Sequence, residues 1–107
     1  MLLLTTTGRR SGWPHEVPLL YLRDDESLVV IASYGGRPNY PDWHLNLVAH
    51  PEAEVQIRGR RHAVTARVAS SEERSVWWPR IVEAYQGYSE YQSRTDRPIS
   101  VVFLEPR

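Results

Sequence analysis

The chain opens on a short apolar run, Leu2 to Leu4, that passes into three threonines and predicts a first strand over Leu2 to Thr6. From His15 to Arg23 the sequence is nearly continuous in apolar and β-forming residues, Val17, Leu19, Leu20, Tyr21 and Leu22 among them. It predicts a second strand, closed by the polar turn Asp24-Asp25-Glu26-Ser27. Leu28 to Ser33 follows as a third strand. Its unbroken Leu-Val-Val-Ile-Ala run lacks alternation, which implies burial on both faces and a central place in the sheet. Gly35-Gly36-Arg37-Pro38 breaks it. Pro41, with its fixed φ, suits the first turn of a helix that Asp42 to His50 completes and Pro51 stops.

Ala53, Val55 and Ile57 then alternate with Glu54, Gln56 and Arg58, the signature of a half-buried strand, and Gly59 turns it into a partner from Arg61 to Ala69. Ser70 with Glu73 three residues on fits a capping box. Trp77, Ile81, Ala84 and Tyr85 mark one face of a second helix, which Pro79 should kink or restart. Ile99 to Leu104 is a last apolar strand. Six strands in the order ββ(β)-α-ββ-α-β, with no internal repeat, describe a small, mostly antiparallel barrel with helices plugging its openings.

A length of 107 residues fits one domain over 1–107 with a real core. Formal charge is zero, so the basic footprint of a nucleic-acid binder is missing and small partners are expected. Without cysteine there is neither a disulfide framework nor a thiolate metal site, and a reducing cytoplasm is compatible. The first apolar run stops at Thr5, far short of a signal-peptide core or membrane span, so a soluble chain is expected. All thirteen basic side chains are Arg, from which no mechanism follows.

Candidate chemistry begins at Thr5-Thr6-Thr7-Gly8-Arg9-Arg10-Ser11-Gly12. Its glycines allow tight turning and close approach, and its two guanidiniums match phosphate or carboxylate oxygens. It lacks the Gly-Lys-Ser/Thr ending of a phosphate loop and leads into a strand, so an exposed hairpin turn stays open as the alternative. Metal ligation has no support: His44 and His50 fall on different helix faces, and His15 and His62 on separate strands. Ser11 and Ser33 lack a nucleophile-elbow context, and Arg58-Gly59-Arg60-Arg61 reads as a solvated turn.

Tyr85, Tyr88 and Tyr91 share one helical face at three-residue spacing, either as core packing or as a wall over a flat ligand. In the second role a phenol can donate to a carbonyl or nitro oxygen that gains charge on reduction. Ser33-Tyr34-Gly35-Gly36 is either a plain turn or a place where backbone N–H groups meet a planar ring. Trp43 and Asn46, three apart, face one ligand or staple the helix to the barrel.

In order, Leu3 to Gly12, Pro18-Leu19, Ala32-Ser33-Tyr34-Gly35-Gly36, Pro41-Asp42-Trp43-His44-Leu45-Asn46-Leu47, Tyr85-Gln86-Gly87-Tyr88-Ser89-Glu90-Tyr91-Gln92 and Arg94-Thr95-Asp96-Arg97-Pro98-Ile99 resemble the deazaflavin-dependent nitroreductase family over nearly the whole chain. The resemblance implies a split β-barrel like that of the flavin-nucleotide-binding oxidases. It also implies the deazaflavin coenzyme F420 as hydride source and a quinone or nitroaromatic as acceptor. On this likeness Arg9, Arg10 and Ser11 grip the phosphate and acidic tail, and His15, Glu16, Val17, Pro18, Leu19 and Leu20 line the next strand beside it. Ile31, Ala32, Ser33 and Tyr34 meet the ring system, while Asp42, Trp43, His44, Leu45 and Asn46 close the tail side. Tyr85, Tyr88 and Tyr91, with Ser33, face the substrate, and Tyr88 is the expected proton donor or direct contact.

The chain departs from the family pattern with His15 where a basic residue is common and Tyr34 where Lys is common, which moves anion grip onto Arg9 and Arg10. Members also tend to carry a segment before the first strand, and membrane contact is expected only through such a segment. Two other readings of the same barrel are a non-catalytic F420 carrier and a flavin nucleotide- or haem-binding protein.

Overall fold

The computed structural model describes residues 1–33, 39–95 and 98–107. Tyr34 and the expected Gly35-Gly36 turn, together with Asp96 and Arg97, lie outside the described residues. The described elements are β1 (Leu2–Thr7), β2 (Pro14–Leu19), β3 (Leu22–Asp24), β4 (Ser27–Ala32), α1 (Asp42–Ala49), β5 (Glu52–Ile57), β6 (Arg60–Val68), α2 (Ser71–Ala84), α3 (Gly87–Ser93) and β7 (Ser100–Pro106).

All strand pairings are antiparallel, in a seven-stranded sheet ordered β2-β1-β5-β6-β7-β4-β3. The expected single strand from His15 to Arg23 is therefore two, at opposite edges of the sheet. Only Leu20 and Tyr21 join them. Three residue steps span at most about 11 Å, whereas the edges of a flat seven-stranded sheet lie about 29 Å apart. The sheet must therefore curl until the end of β2 reaches the start of β3 at Leu20–Tyr21, the two edge strands remaining unpaired with each other along the seam, and that curl forces the break that hydrophobic continuity concealed.

Leu2, Leu4 and Thr6 of β1 point inward and are fully buried, and Leu2 and Leu4 pack with Leu28, Val30, Val55, Val64, Val102 and Leu104 in the interior of the curl. Each such aliphatic side chain contributes about 1.5–3 kcal/mol on burial. Trp43 and Leu47 of α1 enter the same cluster, so α1 plugs an opening as expected. The other two helices do something different. Val29 and Ile31 of β4, with Val101 and Phe103 of β7, form a second cluster with Trp77 and Ile81 of α2 and Tyr88 of α3 on the outer face of the sheet. β4 is thus buried on both faces, though it lies one strand in from the edge.

The β5–β6 hairpin turns at Arg58 and Gly59, φ 51° and 80°, two successive left-handed residues that match the strand twist. The expected capping box starts α2: Ser70 Oγ accepts from Glu73 N at 3.2 Å, and Ser70 N donates to Glu73 Oε1 at 3.0 Å. Pro79 neither ends nor restarts α2, which runs on to Ala84; Ala84 itself is exposed, off the buried face. Arg67 Nη1 donates to both oxygens of Glu73 at 2.7 and 3.0 Å. With the Ser70 N–H, these bonds hold the Glu73 carboxyl down to about 2. A depressed folded-state pKa gives stability that is complete above the ordinary carboxylate range and lost as pH falls towards about 2. Glu73→Gln, which can still fill the capping box, is therefore expected to flatten the loss of Tm between pH 5 and 2 in a thermal melt series.

Candidate active site

One cleft of about 1090 Å³ opens along the seam, lined by the β1–β2 hairpin, β2, the end of β4, the start of α1 and the tyrosine segment. Among the described residues no group of His, Cys, Asp and Glu could hold a metal ion, and no helix is long and apolar enough to cross a membrane.

The hairpin end is cationic. Gly8 N donates to Trp13 O at 2.8 Å and Gly12 N to Gly8 O at 2.9 Å, so the chain from Gly8 to Gly12 is one tight turn that presents Arg9, Arg10 and Ser11 to the cleft. A Cβ on Gly8 would stand 2.7 Å from both His15 Nε2 and Ser11 Oγ, so only glycine lets the His15 ring and the Ser11 hydroxyl close over the backbone here. Arg9 is locked. Its Nη1 donates to Asn46 Oδ1 at 2.9 Å, its backbone N to the same oxygen at 3.2 Å, and its Nη2 to Asp42 Oδ1 at 3.3 Å. Asn46, 3% exposed, is oriented in turn by donating from Nδ2 to Thr6 Oγ1 at 3.2 Å. Arg9 has five N–H donors in its guanidinium, and two are used this way. Three remain for an anion on an arm that has already lost its rotamer freedom.

The opposite end is aromatic. Tyr85 caps the C-terminus of α2, and Tyr88 and Tyr91 lie on α3, so the expected single tyrosine-bearing helix is two elements that meet at Gln86–Gly87. The rings still form one wall: Tyr85 and Tyr88 pack edge to face at 6.0 Å, Tyr88 and Tyr91 at 5.9 Å. Tyr88 is 8% exposed, and burial, then its two tyrosine neighbours, pushes its phenol up to about 12. No hydrogen bond to its hydroxyl forms among the described residues, and the side chain lines the cleft.

Of the residues singled out in the sequence, Arg9, Arg10, Ser11, His15, Glu16, Val17, Pro18, Leu19 and Leu20 all line the cleft. Ile31, Ser33, Asp42, Trp43, Asn46, Tyr85, Tyr88 and Tyr91 do so as well. Three described residues do not. Ala32 alternates into the interior core, fully buried. His44 is buried with its ring stacked on Tyr40 at 4.6 Å, and Leu45 turns away on the same helix. Asn46 belongs to the site by holding Arg9, with both ends of its amide engaged inside the protein. Thr6, part of the threonine-glycine-arginine stretch but with no role of its own expected there, orients Asn46; a hydroxyl at an inward position of an apolar strand signals such a buried polar partner.

A family model described as F420H(2)-dependent quinone reductase matches residues 1–106. A Mycobacterium tuberculosis protein named as a candidate F420H(2)-dependent quinone reductase is 43% identical over 106 residues, 99% of this chain and 89% of that protein. A solved structure of an F420-H2 dependent reductase aligns with a TM-score of 0.87 at 42% identity, over 97% of this chain and 92% of that one. A Listeria innocua protein named as a candidate pyridoxamine 5'-phosphate oxidase shares the fold at 17% identity and TM-score 0.70, over 99% of this chain and 82% of that one.

Proposed function

The chain belongs to the F420H(2)-dependent quinone reductase family and is an oxidoreductase that uses the reduced deazaflavin; from that premise we propose which of its residues hold the coenzyme and which face the acceptor. The observation that carries the assignment is the chemical division of one cleft, cationic at the hairpin and phenolic at α3. The volume, about 1090 Å³, reaches the upper end of the usual range for small-molecule sites and leaves room for two flat molecules together.

Arg9, Arg10 and Ser11 take the phosphate and acidic tail, with His15 folded against them over Gly8. Val17, Pro18 and Leu19 with Ile31 offer apolar surface to the ring system, and Asp42 and Trp43 close the tail side. The coenzyme, when bound, supplies the hydride. Tyr85, Tyr88 and Tyr91, with Ser33 at the end of β4, frame the acceptor, a quinone or a nitroaromatic.

The Tyr88 phenol, neutral throughout the physiological range, donates a hydrogen bond to the acceptor oxygen that gains negative charge. Burial raises the phenol, which favours its role as a neutral hydrogen-bond donor to that oxygen.

Mixing the protein with reduced F420 and a soluble naphthoquinone is expected to accelerate loss of the reduced coenzyme over a protein-free control. No acceleration across a panel of quinones and nitroaromatics overturns the reading. A parallel titration with oxidised F420 and flavin mononucleotide is expected to favour the deazaflavin.

A further inference from the structure

The tyrosine wall stands on a weak base. α3 spans seven residues, under two turns, and Gln86 at its start gives no side-chain cap. A helix this short has almost no stability of its own, so whatever fixes the Tyr88 and Tyr91 rings lies outside it. Tyr88 itself anchors one end in the outer core. The other end is held by a polar junction away from the cleft. Gln92 Oε1 accepts from Arg74 Nη2 at 2.8 Å and from Ile99 N at 2.9 Å. Arg74 Nε donates to Ile99 O at 2.8 Å, and its guanidinium lies over the Trp78 ring at 4.5 Å. Arg74 on α2 therefore bonds both Gln92 on α3 and the residue before β7, and Gln92 closes the triangle by accepting from the N–H of that same residue, Ile99.

Arg74 has no carboxylate partner among the described residues, and burial pulls its guanidinium below the ordinary value. A part-buried cation spent on two neutral oxygens is a poor source of stability and a good source of fixed geometry. We propose that Arg74 and Gln92 are positioning residues for the acceptor: they set where α3 lies and so where the phenols of Tyr88 and Tyr91 meet the substrate. Neither side chain lines the cleft. The inference rests on the tyrosine wall being the acceptor side.

Gln92→Leu removes both acceptor bonds, together with the bond Gln92 Nε2 donates to Thr95 O at 3.3 Å, at similar size; Gln92→Glu loses that donor but keeps an oxygen acceptor for Arg74 and for Ile99 N. In Gln92→Leu, kcat/KM for a soluble naphthoquinone is expected to fall about tenfold, since small misplacements of contact groups carry penalties of this order or more. The Kd for oxidised F420, set at the hairpin end, should stay within about twofold. Amides of residues 87–93 should exchange with deuterium faster than in the parent, with α1 unchanged. Gln92→Glu should restore both kcat/KM and protection.

Faster exchange with unchanged kcat/KM overturns the proposal, because α3 would then not set the acceptor. Unchanged exchange overturns it also, because the junction would then not hold α3. A parallel loss of coenzyme affinity in Gln92→Leu points to general damage and counts against it. A parent that reduces no acceptor at all refutes the acceptor reading in the control, before any variant is compared, and the exchange result then decides the junction alone.

Discussion

Arg9→Ala is expected to weaken binding of oxidised F420 about ten- to hundredfold, measured by titration of the coenzyme's fluorescence. Hydrogen bonds to charged groups contribute about 1.5–3 kcal/mol each, and 1.4 kcal/mol is a factor of ten. The upper part of that range applies because Arg9 is held by Asn46 and Asp42 before any ligand arrives, so little rotamer entropy remains to be lost. Stability should change little. The backbone N of residue 9 still donates to Asn46 Oδ1, and the Nδ2 bond to Thr6 is untouched, so the buried amide keeps partners at both ends. Unaltered affinity would remove Arg9 from the coenzyme site.

Tyr88→Phe is expected to lower kcat about ten- to hundredfold for quinones while the F420 Kd stays within about twofold. The size follows from one hydrogen bond, about 1.5–3 kcal/mol, to an oxygen that carries charge only as reduction proceeds. Phenylalanine fills the buried site between Tyr85 and Tyr91, so packing in the outer core is retained. With the phenol pushed up to about 12, the rate should also show no titration of Tyr88 between pH 6 and 10. An unchanged kcat for every acceptor would reduce the tyrosine wall to packing.

Local signals in the chain were read correctly where local physics decides. The capping box at Ser70, the turn at Gly59 and the doubly buried run from Leu28 to Ala32 follow from neighbours in sequence. The break at Leu20–Tyr21 does not, because it comes from joining opposite edges of a sheet whose strand order no single segment contains. Site residues expected as contiguous blocks do not all line the cleft, for a geometric reason. At the end of β4, Ile31 and the following Ser33 line the cleft and Ala32 between them does not, since an extended chain alternates. On α1, Asp42, Trp43 and Asn46 reach it, and the intervening His44 and Leu45 rotate away. The full run from His15 to Leu20 lines the cleft because β2 is an edge at the seam. The hold of Asn46 on Arg9, 37 residues apart, and the Arg74–Gln92 junction are products of folding alone.

The free edge of β2 has one more property. His15, Val17 and Leu19 fill the ladder positions towards Thr6, Leu4 and Leu2, because Pro14 and Pro18, which lack an N–H, are confined to the alternate positions that face outward with Glu16. The outward edge therefore offers three carbonyls and a single N–H. A neighbouring polypeptide strand, which needs donors and acceptors in alternation, finds no continuous ladder there, so the proline pair guards the open seam against strand addition and aggregation. A heterocycle that brings its own N–H groups meets the same edge as a row of acceptors.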